Sequence, residues 1–83
     1  MRFSSPSAID MAATGRNIAR LRQEAGISVR EMQALFGFSS PQAIYKWQRG
    51  ESLPALENMV LLARLLDRTV EDLLIFTSEG REP

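Results

Sequence analysis

The sequence predicts an all-α fold, a bundle of five short helices with no β-sheet. Apolar residues recur at helical spacing, as at Ile18, Leu21 and Ala25, which is the pattern of a helix with one buried face. Residues 28–31 and residues 69–72 have the Ser/Thr-x-x-Glu/Asp pattern of a capping box, which begins a helix. No segment shows the alternation of apolar and polar residues that a half-buried strand requires.

The first helix is predicted over residues 15–25. Thr14 precedes it as the N-cap, because a threonine hydroxyl can accept a hydrogen bond from a free N–H of the first turn. The weakly patterned residues 1–13 are predicted to form an N-terminal arm. Glycine readily adopts the left-handed conformation that ends a helix. The glycines expected to end the first three helices are Gly26, Gly37 and Gly50.

The second and third helices are predicted over residues 29–36 and residues 41–49. Ser40 can cap the third helix, and Pro41 fits its first turn, where a missing N–H costs nothing. The residues expected to enter the core from these two helices are Met32, Leu35, Phe36, Ile44 and Trp47. Two short helices joined by a tight turn have the outline of a helix-turn-helix.

The fourth and fifth helices are predicted over residues 55–66 and residues 70–76. The apolar stripe of the fourth helix consists of Leu56, Met59, Leu62, Ala63 and Leu66. Residues 77–83 are mostly polar and are predicted to be a frayed tail. The sequence therefore predicts one helical domain over residues 14–76.

The composition excludes several classes of protein. The chain has 83 residues, with no Cys and no His, so disulfides, the usual zinc ligands and the commonest general base are missing. No glycine-rich phosphate loop occurs, so we expect no enzyme activity, metal, cofactor or small-molecule ligand. No apolar run approaches the roughly 20 residues of a membrane span, and the N-terminus lacks the apolar core of a signal peptide. The expected location is the cytoplasm.

The charge is balanced overall but unevenly distributed along the chain. Residues 1–50 contain seven Lys/Arg and three Asp/Glu, whereas residues 51–83 contain three Lys/Arg and seven Asp/Glu. Such a division presents a basic face to a polyanion and keeps the acidic end away. An imbalance of this size also arises by chance, so the charge pattern needs support from motifs.

Several short motifs occur in a characteristic order along the chain. They are Ile18 with Arg22, Ser28, residues 44–50 (Ile-Tyr-Lys-Trp-Gln-Arg-Gly), Pro54, residues 62–66 (Leu-Ala-Arg-Leu-Leu) and residues 72–74 (Asp-Leu-Leu). On these motifs, residues 14–76 resemble the DNA-binding domain of lambda-repressor and Cro type (XRE-like) regulators. The resemblance implies a five-helix bundle with a helix-turn-helix at helices two and three. In that family the third helix lies in the DNA major groove.

Among the departures from the pattern of this family, two concern the position of the third helix. The turn of residues 37–40 (Gly-Phe-Ser-Ser) is one residue longer than usual, which we expect to change the tilt of the third helix. Gln48 stands where a Glu often pairs with the arginine of the first helix. We therefore expect an Arg22–Gln48 hydrogen bond in place of a salt bridge.

The resemblance implies that the exposed face of the third helix contacts DNA. Gln42 and Lys46 lie one turn apart; a carboxamide can pair with adenine, and an ammonium can reach guanine or a phosphate. Pro41 either contacts a thymine methyl or simply begins the helix. The residues expected to contact the DNA backbone, which fixes register without reading sequence, are Ser40, Tyr45, Arg49, Gly50 through its N–H, Arg22 and Arg30. Tyr45 could instead half-bury its ring, and the two arginines could be ordinary surface residues.

Leu61 and Leu65 form an apolar pair on the fourth helix, away from its core stripe. The family usually has polar or small residues at these positions. We therefore predict a homodimer interface that includes this pair together with Ile75 and Phe76. The alternative is that they are ordinary exposed apolar residues, which need no partner.

The leading interpretation is a sequence-specific transcriptional regulator that binds double-stranded DNA, a homodimeric repressor acting on a near-palindromic operator. The alternative is a protein-interaction module, or a toxin-neutralising antitoxin, that uses the same bundle. The neutral net charge and the apolar pair on the fourth helix favour a protein partner. The basic first half and the polar third helix favour DNA.

Overall fold

Five α-helices make up the fold of residues 8–77, the part of the chain that the computed structural model describes. The helices are α1 (Met11–Glu24), α2 (Val29–Phe36), α3 (Gln42–Arg49), α4 (Leu56–Leu65) and α5 (Val70–Leu73). The predicted all-α fold is confirmed. The first seven residues of the predicted arm and residues 78–83 of the predicted tail lie outside the described residues. None of the helices within residues 8–77 has the length and apolarity that would carry it across a membrane.

All five helices contribute side chains to one core, and α1 with α3 forms the most extensive contact between helices. Helix α1 packs against α3 and α5, α2 packs against α3, and α4 packs against α5. The buried apolar residues are Ile18, Leu21, Met32, Ile44, Trp47, Met59, Leu62, Ala63, Leu66 and Leu73. Most of the predicted core residues are therefore confirmed.

Two leucines that were expected in the core are exposed. Leu35 of α2 is 59% exposed, because Phe36 and Phe38 pack against the core at this end of the helix. Leu56 is 78% exposed: it is the first residue of α4, and the described residues leave most of it uncovered. Helical spacing predicts which face of a helix is buried, but not how far along the helix other elements pack against that face.

Helix α1 begins earlier than the sequence predicts. Asp10 is its N-cap, and the Asp10 carboxylate accepts a hydrogen bond from the Ala13 N–H at 3.0 Å. The prediction that Thr14 caps this helix is wrong, because Thr14 is completely buried within the second turn. Its hydroxyl accepts a hydrogen bond from the Ile75 N–H at 2.9 Å and lies 3.3 Å from the Ile75 carbonyl oxygen.

Helix α5 ends earlier than the sequence predicts, because the residues after it pair with the start of the chain. Asp10 N–H donates to the Ile75 carbonyl at 2.7 Å, and Thr77 N–H donates to the Ala8 carbonyl at 2.8 Å. An isolated antiparallel bridge joins Ile9 and Phe76 between these bonds. We call this pairing of residues 8–10 with residues 75–77 the terminal clasp. It commits backbone groups that a longer α5 would need for its own hydrogen bonds.

Both predicted capping boxes are confirmed. Ser28 and Glu31 exchange side-chain and backbone hydrogen bonds at the start of α2, and Thr69 and Asp72 do the same at the start of α5. The backbone N–H groups of Ser28 and Thr69 lower the pKa of the Glu31 and Asp72 carboxyls, because a carboxylate accepts these bonds better than a neutral acid does. These local signals begin both helices where the sequence predicts.

Candidate nucleic-acid interface

Helix α3 is anchored by the two side chains that were expected to enter the core. Ile44 is fully buried and Trp47 is only 4% exposed. The Trp47 ring meets Phe36 and Phe38 edge-on, with ring centroids 5.4 Å and 5.8 Å apart. The assignment of Trp47 to the core is confirmed. The opposite face of α3 is left open to solvent.

The lengthened turn before α3 is held by residues that the sequence analysis missed. Phe38 N–H donates to the Gln33 carbonyl at 3.0 Å, and the Gln33 side-chain amide donates back to the Phe38 carbonyl at 3.3 Å. The Phe38 ring stacks on Phe36 with centroids 5.3 Å apart. An apolar residue directly after a left-handed glycine is a known signal of this helix-ending turn, so Gly37 followed by Phe38 was the available clue.

The far end of α3 is fixed against α1 by a close backbone approach. A side chain at Gly15 would place its Cβ 2.5 Å from the carbonyl oxygens of Trp47 and Gln48. Only glycine therefore allows α1 to cross α3 at this distance. A glycine in the middle of a helix lowers helix stability and often has a packing reason. Because the predicted first helix began at residue 15, Gly15 did not stand out as such a glycine, and the contact was missed.

Arg22 ties α1 to α3, as the sequence predicts. Its Nε donates to Gln48 Oε1 at 2.8 Å, and its Nη1 donates to the Ile27 carbonyl at 2.8 Å. These two bonds hold α3 and the turn after α1 in one arrangement. Two of the nitrogens of Arg22 are thus used within the protein, and its contact with a phosphate stays a prediction.

The predicted base-contacting side chains share the open face of α3. Gln42 and Lys46 are both exposed and lie one turn apart, with the exposed Tyr45 and Arg49 beside them. We call these four residues the recognition face. Pro41 is half-buried and precedes the helix, which begins at Gln42. The start of the helix therefore differs by one residue from the predicted start.

The residues predicted to contact the DNA backbone differ in whether their hydrogen-bond donors are already used within the protein. Ser40 is exposed just before α3, where its hydroxyl oxygen lies 3.4 Å from the Gln42 N–H, and Arg30 is exposed on α2. The Gly50 N–H instead donates to the Trp47 carbonyl at 3.1 Å. This bond belongs to the turn that ends α3, and the contact of the Gly50 N–H with a phosphate stays a prediction.

Arg49 forms an ion pair at the end of the recognition face. Its Nε donates to a carboxylate oxygen of Glu51, and both side chains are about half exposed. This hydrogen bond raises the pKa of Arg49 and lowers the pKa of Glu51. The nearby charge of Lys46 lowers the Glu51 pKa further. The sequence analysis assigned no role to Glu51.

A second exposed region lies between α2 and α4. Leu61, Leu65 and Arg64 of α4 line a groove of about 290 Å³ with Leu35 and Phe36 of α2. We call these five residues the leucine groove. The α4 leucines were predicted from the sequence as part of an interface, but Leu35, which lies far away in the sequence, was not.

The other two predicted interface residues lie elsewhere. Ile75 and Phe76 belong to the terminal clasp, with 37% and 49% of their surface exposed. They are not among the residues that line the leucine groove. Within residues 8–77, no group of three or more acidic side chains is arranged to hold a metal ion.

Comparisons with known proteins agree with this geometry. A sequence model of the helix-turn-helix family matches residues 18–73, from the middle of α1 to the end of α5. The structure is similar to a crystal structure of the restriction-modification controller protein C.AhdI from Aeromonas hydrophila, with a TM-score of 0.67 and 26% sequence identity. The match covers 77% of this chain and 96% of that chain. No curated protein matches the sequence significantly.

Proposed function

Because this chain belongs to the helix-turn-helix family and is a DNA-binding regulator of transcription, we propose that it reads one DNA sequence as a homodimeric repressor. The observation that carries the proposal is the two-sided character of α3. Ile44 and Trp47 are buried on one side, while Gln42 and Lys46 are exposed one turn apart on the other. A helix held in this way presents fixed polar groups to the major groove.

Gln42 and Lys46 are the proposed base-reading residues. The Gln42 carboxamide accepts a hydrogen bond from adenine N6 and donates one to N7, and the Lys46 ammonium donates to guanine O6 and N7. Pro41, just before them, adds an apolar contact to a thymine methyl group. Each good base contact supplies about 1–3 kcal/mol of discrimination against the wrong base.

The proposed phosphate contacts are made by Ser40, Tyr45, Arg49 and Arg30, which are all exposed. Such contacts fix the register of the protein on DNA and supply most of the salt-dependent affinity. Arg22 contributes mainly by holding α3, since its hydrogen bonds to Gln48 and Ile27 lie within the protein. Gly50 contributes by ending α3 at the right point.

The proposed dimer is formed through Leu61 and Leu65 of the leucine groove, and Ile75 and Phe76 of the terminal clasp are proposed as a separate part of the same interface. An apolar groove on the surface of a small domain favours a second copy as partner, because its burial adds to a thin core. A twofold dimer would place two α3 helices about 34 Å apart, or a multiple of it, on a near-palindromic operator. The DNA-binding unit proposed at residues 14–76 would act in the cytoplasm, without enzyme activity.

Selection of duplexes from a random DNA library tests this function most directly. We expect enrichment of one short sequence that occurs twice in inverted orientation, at a spacing of about one helical turn. Binding of the enriched duplex should weaken steeply with added salt, while a random duplex binds more weakly at every salt concentration. Failure to enrich any sequence would contradict sequence-specific binding, and a single unrepeated site would contradict the dimer.

A protein-interaction module or antitoxin is the second candidate, and the leucine groove favours it. An amphipathic helix of another protein could place its apolar face between Leu35 and Leu61. This candidate requires no contact between α3 and DNA. Absence of salt-dependent binding to any duplex would favour it over the regulator.

A further inference from the structure

We propose that the Glu51 carboxylate competes with DNA phosphate for Arg49. It pairs with Arg49 in the free protein and thereby lowers the affinity for every duplex by the same factor. The inference rests on the proposed function, in which Arg49 contacts the DNA backbone. It adds an autoinhibitory contact to that site.

The turn after α3 positions Glu51 beside the recognition face. Gly50 has the left-handed conformation, with φ of +76°, and Glu51 N–H donates to the Lys46 carbonyl at 2.9 Å. The chain therefore folds back on the last turn of α3. This places the Glu51 carboxylate against the Arg49 guanidinium and near the charge of Lys46.

The stability of α3 does not explain an acidic residue at this place. The C-terminus of a helix carries a partial negative charge and favours cations. Glu31, Glu57 and Asp72 follow that rule in the first turns of α2, α4 and α5. Glu24, the last residue of α1, does not follow it and is held in an ion pair within its own helix. Glu51 likewise lies at an unfavourable place, just beyond a helix C-terminus. Its favourable contacts are with the cations proposed to bind DNA.

The consequence for DNA binding follows from the exchange of partners. To reach a phosphate, the Arg49 guanidinium must either break its ion pair with Glu51 or bring the Glu51 carboxylate close to the phosphate. In either case one unit of positive charge at the site is offset, so one phosphate fewer is effectively neutralised. The offset does not depend on base sequence, because it acts on the DNA backbone.

The variant Glu51→Gln tests the inference, since it removes the charge and keeps the shape and the backbone turn. Affinity for a labelled random duplex and for the selected operator should both rise about two- to fivefold at low salt, the range that a surface ion pair supports. The slope of log K against log salt should become steeper by about 0.9. Glu71→Gln is the matched control, because it makes the same change in net charge at an exposed position on α5. Its affinity and slope should equal those of the wild type.

A double-variant cycle separates competition from simple repulsion. In the Arg49→Ala background, Glu51→Gln should lose most of its gain, because the partner being competed for is missing. An equal gain in both backgrounds would overturn the inference, as would a Glu51→Gln affinity equal to that of Glu71→Gln. If the wild type binds no duplex at all, the proposed function fails first, and that result is distinct from either outcome of the cycle. Thermal unfolding of each variant verifies that it is folded.

Discussion

The recognition face of α3 and the leucine groove between α2 and α4 are both open to solvent, but they differ in chemistry. The first presents an amide, a phenol and two cations, whereas the second presents three leucines and a phenylalanine with a single arginine beside them. Polar groups on a fixed helix suit the base edges and phosphates of DNA, and an apolar groove suits another protein surface. The difference supports the proposal that one small domain has separate surfaces for DNA and for protein.

The two regions also differ in how they are built. The recognition face comes from residues 42–49 of a single helix, so its side chains are neighbours by helical spacing alone. The leucine groove joins residues 35–36 with residues 61–65, which become neighbours only when α2 and α4 pack around the core. Trp47 supports both regions, because it anchors α3 and its ring touches Phe36 of the groove. Point variants can therefore disrupt one region alone or both regions together.

Trp47→Ala should have the largest effect and should remove both regions at once. Loss of a buried tryptophan costs about 3–5 kcal/mol, a large part of the stability of a domain of this size. Urea unfolding followed by circular dichroism measures the loss. Tyr45→Ala, on the exposed side of the same helix, should stay close to wild-type stability. A Trp47→Ala protein that remained fully folded and lost only DNA binding would make Trp47 a contact residue.

Leu61→Lys combined with Leu65→Lys should break the leucine groove and leave the recognition face intact. We expect a folded monomer whose operator affinity falls by about a hundredfold, because the two half-sites are no longer linked. Sedimentation at micromolar concentrations gives the mass, and binding to a single half-site serves as the internal control. Leu56→Lys, on the same helix but outside the groove, should still dimerise. A wild-type protein that is monomeric at all concentrations would falsify this interface.

Gln42→Ala should damage the recognition face and leave dimerisation unchanged. The expected cost is about 1–3 kcal/mol on the preferred operator, with preference lost at one base pair in each half-site. Competition binding against operators altered at single positions measures both effects. Equal losses on the operator and on random DNA would remove Gln42 from the base-reading residues.

Arg49→Ala should lower the affinity for the operator least among the four variants. Because the proposed contact is to a phosphate, affinity should fall by a similar factor on all sequences. The salt slope should decrease by about 1 when Arg49 is removed from the Glu51→Gln protein, and by less when Glu51 is present to offset Arg49. The pairing with Glu51 reduces the net loss, since the free protein also loses an ion pair. Fluorescence anisotropy at several salt concentrations measures the slope. A change of base preference in this variant would show that Arg49 reads sequence.

Much of the helix-turn-helix was predictable, because its signals are local. The capping box at Ser28, the left-handed glycines at 37 and 50, and the burial of Ile44 and Trp47 all follow from residues close in sequence. The Arg22–Gln48 hydrogen bond was predictable only through the resemblance to a family, since 26 positions separate its partners. Helical spacing within α3 was also enough to predict that the recognition residues share its exposed face.

The sequence by itself determined the helical class, the interior boundaries and the two-sided character of α3, because caps, glycines and helical spacing act within a few residues. Tertiary structure alone decided where α1 begins and α5 ends, since the terminal clasp joins residues 8–10 to residues 75–77. It also turned Thr14 from an expected cap into a buried hydrogen-bond partner of Ile75, and it placed Leu35 beside Leu61. These outcomes depend on which distant backbone groups and side chains meet once the core is packed, and no local preference of the chain encodes that meeting.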